Sequence, residues 1–158
     1  MVARVKRPPL ELLRDDDGSV VLGWVGDGVL YTRFEGSLSA AVGAAFAARL
    51  EAYAVGAPAF EYFSDGSALG SYDLRARNAF IRVVLAQRSK FRTIVMLTWA
   101  GAVSSAARAF ADAVGDHLDL LTGGPEFHVR LRAAAPQALR SLDPNTWTRT
   151  DPLQLLRS

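Results

Sequence analysis

Histidine is the residue type best suited to moving protons or ligating a metal, and this 158-residue chain holds two, His117 and His128. A histidine does general acid–base work or ligates a metal only with partners held beside it. Neither one has a second histidine at i+4 or a carboxylate at ligand spacing, so both read as edge or surface residues and no metal site is expected. A serine nucleophile would need a G-x-S-x-G elbow and a base, and the elbow does not occur. Gly23, Gly26 and Gly28 spell G-x-x-G-x-G, the wrong order for a dinucleotide fingerprint, and they fall in a hairpin rather than before a helix. The chain has no cysteine, which removes disulfides, thiolate metal sites and cysteine nucleophiles. No catalytic constellation is left, and neither an enzyme nor a cofactor is expected.

The elements around these residues are more legible. Residues 20–25 and 29–35 are β-prone runs around Gly26-Asp27-Gly28, which predicts a β-hairpin. In its second arm Leu30, Thr32 and Phe34 share one face, and Tyr31, Arg33 and Glu35 share the wetter one, which predicts a place near a sheet edge. Residues 37–56 carry helical periodicity at Leu38, Val42, Phe46, Leu50 and Tyr53, with Ser37 or Ser39 as cap and Gly56 as stop.

Residues 59–99 then read as apolar strand, Ser/Gly/Asp-rich loop (Ser64 to Ser71), amphipathic helix (about 72–90) and second apolar strand. Ser71 is the expected cap of that helix, and Asp73 sits well against its dipole. A crossover of this length joins parallel strands in the right-handed sense. Ligands and partners of such sheets meet the loops at the carboxyl ends of the strands. A third helix from near Val103 to Gly115, a short strand at 117–121 and a helix opened by Gly124-Pro125 complete the pattern. Trp24 and Trp99 fall in strands. The fold class is therefore α/β: a mixed sheet opened by a hairpin, followed by alternating helices and parallel strands.

The organisation expected is an N-terminal extension (1–19), one domain (20–135) and a C-terminal helix or tail (136–158). The acidic run Asp15 to Asp17 before Gly18 reads as a turn. Trp147, Leu153, Leu155 and Leu156 suit the tail either to pack on its own domain or to contact a second copy, so a homo-oligomeric assembly subunit is one reading. Half the residues are apolar and 22% are charged, as in folded domains. With no apolar run of spanning length and no leader-like opening, a cytoplasmic location is expected.

From Arg75 to Arg108 every charge is positive, and no acid falls between Asp73 and Asp112. Arg75, Asn78 and Arg82 share an outward strip of the second helix. The strip suits solvent, an acidic protein partner or, less well, an anionic lipid. Nucleic acid is not expected, because the aromatics between these charges face the core.

The segment FEYFSDGSALGSYDLRARNAF, the strand TIVML, the helix SSAARAFADAVG and the late GGPEFHVRLRAA together resemble the STAS domains, in particular their SpoIIAA-like branch of small bacterial proteins. The likeness spans about Val20 to Ala135. It implies a non-enzymatic module of bacterial signalling that binds a protein, a kinase or regulator, through residues 64–71 and the helix after them. In the anti-sigma-factor antagonists of this family a serine directly after an Asp is phosphorylated. Here Gly66 follows Asp65, so Ser67 is the nearest candidate and Ser71 the second. The contact residues implied are Asp65, Gly66, Ser67, Tyr72, Arg75, Asn78 and Arg82. The same branch is similar to smaller lipid-binding domains, which makes a lipid or hydrophobic-ligand carrier the alternative.

Overall fold

The computed structural model describes residues 7–98 and 105–157. Seven strands form one sheet: β1 (Glu11–Arg14), β2 (Gly18–Gly26), β3 (Val29–Leu38), β4 (Phe60–Tyr72), β5 (Phe91–Leu97), β6 (Leu118–Leu121) and β7 (Thr148–Thr150). Their spatial order is β6-β5-β4-β3-β2-β1-β7. β2 pairs antiparallel with β1 and β3, whereas β3 through β6 are parallel to one another and β7 is parallel to β1. The expected α/β class and the parallel β4–β5 unit are both present. The helices are α1 (Ala40–Val55), α2 (Leu74–Ala86), α3 (Ser105–Val114), α4 (Gly124–Ala134) and two single turns, α5 (Ala138–Ser141) and α6 (Pro152–Leu155).

The hairpin turn is Asp27-Gly28, with Gly28 at a φ of 65°, in the left-handed region that favours glycine. The edge position expected for the second arm is wrong: β3 lies in the middle of the sheet. Tyr31 is 2% exposed because the second face, which reads as wet from Arg33 and Glu35, is covered for most of its length. Leu30, Thr32 and Phe34 face a core shared with α1 and α2, while Tyr31 and Phe63 face a second core closed by Phe127 and Leu131 of α4. Each face of the sheet thus carries its own helical layer, and β3 is buried between them.

Ser39 caps α1, its Oγ accepting from the Val42 amide and donating to Asp15 Oδ2 at 2.6 Å. Asp15 also accepts from the amides of Asp17 and Gly18, so the first acid of the run both makes the turn and fastens it to α1. Partial burial would raise its carboxyl pKa, but the hydrogen bonds from Ser39 and these amides hold it below the usual range. α1 and α2 approach so closely that a Cβ on Gly43 would lie 2.2 Å from the Cβ of Ala76.

Both terminal segments join the sheet, as neither short run shows enough periodicity to reveal. β1 is tied to α1 by Glu11, whose Oε2 accepts from Arg49 Nε (3.0 Å), Arg49 Nη2 (2.9 Å) and Tyr53 Oη (2.9 Å). β7 adds to the outer edge of β1. Trp147 Nε1 donates to the Ser141 carbonyl, and its ring packs on the α4-side core, whereas Leu155 packs on the α1-side core. Of the two readings of the tail, intramolecular packing holds for these two residues, and Leu153 and Leu156 remain exposed. Trp24 is half-buried, edge-on to Tyr53 and Phe60. Trp99 and the start of the third helix lie outside the described residues.

Tyr62 is fully buried, with its hydroxyl 2.6 Å from Thr32 Oγ1, and burial pushes the phenols of Tyr31 and Tyr62 well above their ordinary value. Their neutral forms are thus favoured by folding. The unfolded chain ionises near 10 while the native one does not, so it binds fewer protons there and stability falls as pH rises past 10. Each phenol contributes a loss of about 1.4 kcal/mol per pH unit in that window. Urea melts at pH 9, 10.5 and 11.5 should therefore show a falling midpoint, and Tyr62→Phe should flatten the decline.

Candidate functional site

The carboxyl ends of the parallel strands differ from the expected loop. Residues 64–71 are not a loop: β4 continues through them to Tyr72, paired with β3 alone after β5 has diverged at the Asp65↔Leu97 pair. The extension is irregular, since Asp65 pairs with Arg33 and Ala68 with Glu35, leaving Gly66 and Ser67 as the bulged residues. Ser, Gly and Asp mimic a loop in the sequence, and here they build a bulge and a half-exposed strand end.

Asp65 is only 4% exposed. Its Oδ1 accepts from the Ser67 amide at 2.9 Å and from Ser67 Oγ at 2.6 Å, which closes the bulge. A contact role for the Asp65 carboxylate itself is therefore corrected: it is buried and shapes the surface from beneath, while Ser67 and Ala68 stand exposed above it. Ser71 is exposed and shares a 2.7 Å hydrogen bond with Ser37, joining β4 to β3, and it does not cap α2. Asp73 does, accepting from the Arg75 amide at 2.8 Å. α2 ends at Ala86, short of the expected 90, and residues 88–90 form a 3-10 turn.

Ala76, Val83 and Val84 bury the inner face of α2. Arg75, Asn78 and Arg82 are all exposed, as expected. Arg75 folds back on Asp73, with Nε and Nη2 each 3.1 Å from its carboxylate. Hydrogen bonds from Arg75 hold the Asp73 carboxyl below its usual range, and those same bonds raise the Arg75 guanidinium. Among the described residues Arg82 forms no ion pair. Two residues of this surface escape sequence reasoning. Leu74 is 59% and Leu85 43% exposed, at either end of the strip. The signal was present: they fall at i and i+11, in phase with Asn78 and Arg82 and out of phase with the buried stripe. Together with Gly66, Ser67 and Tyr72, these residues make one continuous stretch of chain from the end of β4 along the outer face of α2.

His117 is exposed with Nδ1 3.1 Å from the Arg92 carbonyl oxygen, and His128 is exposed on α4. Among the described residues no group of three or more His, Cys, Asp or Glu could hold a metal, and no helix there is long and apolar enough to cross a membrane.

A mixed sheet whose β3 to β6 run parallel, with α1, α2 and α3 packed on one face and α4 on the other, is an α/β fold of the SpoIIAA-like kind. The chain is similar to a solved protein of the DUF3478 family with a SpoIIAA-like fold from Shewanella loihica, at 14% identity and a TM-score of 0.53, covering 83% of this chain and 98% of that one. It is also similar to an anti-sigma factor antagonist from Mycobacterium paratuberculosis, at 13% identity and a TM-score of 0.50, covering 77% and 99%. At these identities the likeness is one of fold. No protein-family model and no curated protein sequence matches the chain.

Proposed function

We propose that the chain is a non-enzymatic interaction module of bacterial signalling, acting in the cytoplasm. It binds an acidic regulatory protein, of the anti-sigma or kinase kind, across Gly66, Ser67, Tyr72 and the outer face of α2. The observation that carries the reading is the make-up of that face: Leu74 and Leu85 stand exposed at either end of Arg75, Asn78 and Arg82, with no acid between Asp73 and the end of the helix. Leucines held in water at both ends of a basic strip suit a partner that buries apolar anchors and pairs the cations at the rim. One of the two solved folds above is an anti-sigma factor antagonist, which supports the same class of role.

Phosphorylation at Ser67 would switch this surface. The phosphate would replace the hydroxyl that now donates to Asp65, and would bring close to two negative charges beside a buried carboxylate. Ser71 is the second candidate, because its hydroxyl holds β4 to β3 through Ser37.

The test is capture of partners from the native cell on immobilised wild-type chain and on the Arg75→Glu/Arg82→Glu variant. Both positions are exposed, so the fold should survive the change. A protein held by the wild type and released by at least about tenfold in the variant is the expected result, since two reversed rim charges lose attraction and add repulsion. Equal recovery on both would place the docking face elsewhere.

A further inference from the structure

A cavity of about 120 Å³ lies on the α1–α3 side of the sheet, against the carboxyl-terminal half of β4 and the end of β5. Its walls are apolar, formed chiefly by Phe34, Phe80, Met96 and Phe110. Its polar lining residues include Arg77 and Thr98. Arg77 Nε and Thr98 Oγ1 are both shielded from solvent, and neither has a hydrogen-bond partner. Arg77 also forms no ion pair among the described residues, and its Nη2 donates to Asn78 Oδ1 at 3.5 Å. Native proteins rarely leave buried donors unmatched, and a matched pair of them on one apolar cavity points to an acceptor that arrives from outside.

We propose that this cavity binds a compact apolar carboxylate, with the body of the ligand among the four apolar side chains and its anionic group accepting from Arg77 and Thr98. The guanidinium selects an anion and offers the fork that fits a carboxylate. The size selects a single ring or a short branched chain. A dry protein cavity of about 150 Å³ takes one benzene molecule, whereas sites for larger ligands run to roughly 300 Å³ and above. A long lipid tail is therefore not the occupant. The inference stands apart from the partner-binding reading, because it concerns the isolated chain and side chains on the inner side of α2.

The chain holds two methionines, and one of them, Met96, lines the cavity and is 9% exposed. Methyl-13C labelling thus places a reporter in the cavity wall. Benzoate is titrated into the full chain, with benzyl alcohol as its uncharged counterpart. The Met96 methyl signal should shift saturably with benzoate. Arg77→Met keeps an apolar stem and removes the charge, so benzoate affinity should fall by about tenfold or more while benzyl alcohol changes by less than about twofold. Thr98→Val keeps the shape and should weaken benzoate selectively, by a smaller factor. No saturable shift with benzoate would overturn the proposal. So would an equal loss for both compounds in Arg77→Met, or unchanged benzoate affinity there. Should Arg77→Met fail to fold, Thr98→Val decides: selective loss of benzoate supports the site, and no loss or an equal loss refutes it.

Discussion

Gly43→Leu is expected to destabilise the domain by about 3 kcal/mol or more, lowering the thermal midpoint by about 10 °C. A Cβ at position 43 would sit 2.2 Å from Ala76 Cβ and 2.7 Å from Ala76 Cα. The second contact is with backbone, so no rotamer change relieves it, and α1 must move off α2. Even Gly43→Ala should be destabilising. The gain in helix propensity is about 1 kcal/mol, and a backbone shift between two packed helices outweighs it. Ala48→Leu on the exposed face of α1 is the control and should stay within about 0.5 kcal/mol of wild type. Urea or thermal melts of the three variants check the order. The consequence reaches function, because Ala76 holds the inner side of the helix whose outer side is the proposed docking face.

Ser67→Glu should act on that face directly. In the native protein Ser67 Oγ donates to a carboxylate buried at 4% exposure, so the substitution removes a charge-assisted hydrogen bond and sets a like charge beside it. Two such charges about 4 Å apart repel by about 1 kcal/mol in water and about 4 kcal/mol near a protein surface. The segment after Asp65 is half-exposed and pairs on one side only, so it should yield before the core does. The expected outcome is loss of partner binding with little change in the global melt, and faster amide exchange at 66–71. Ser67→Ala loses the hydrogen bond without adding charge and should retain most binding. Asp65→Asn combined with Ser67→Glu should restore it, because the repulsion has gone. Unchanged binding by Ser67→Glu would separate this serine from the docking surface.

The contrast between β4 and α2 explains how much of the molecule could be read in advance. Phe60 to Phe63, broken only by Glu61, and the continuous Ile94 to Leu97 are apolar runs either side of an amphipathic helix, and strand direction follows from crossover length alone. The same reasoning failed at residues 64–71, whose Gly and Ser content reads as a loop. What makes them a strand is the neighbouring β3, a partner that local propensity does not see. β3 itself looks like an edge because Arg33 and Glu35 share a face with Tyr31, yet α4, nearly 100 residues later, covers the buried part of that face. β1 and β7 are too short, at four and three residues, for periodicity to mark them. The type of Asp65 says turn, and only the fold shows that its carboxylate lies beneath the surface, closing the bulge. Leu74 and Leu85 were legible in phase and passed over, because an arginine strip draws attention to charge.

The most direct measurement is amide hydrogen exchange on the chain alone and in complex with the partner that the wild-type chain retains and the Arg75→Glu/Arg82→Glu variant releases. Protection should concentrate at residues 66–85, along the end of β4 and the outer face of α2, and leave α4 and the β7 edge unchanged. Protection confined to α4, to the β7 edge or to the tail around Leu153 and Leu156 would contradict the account.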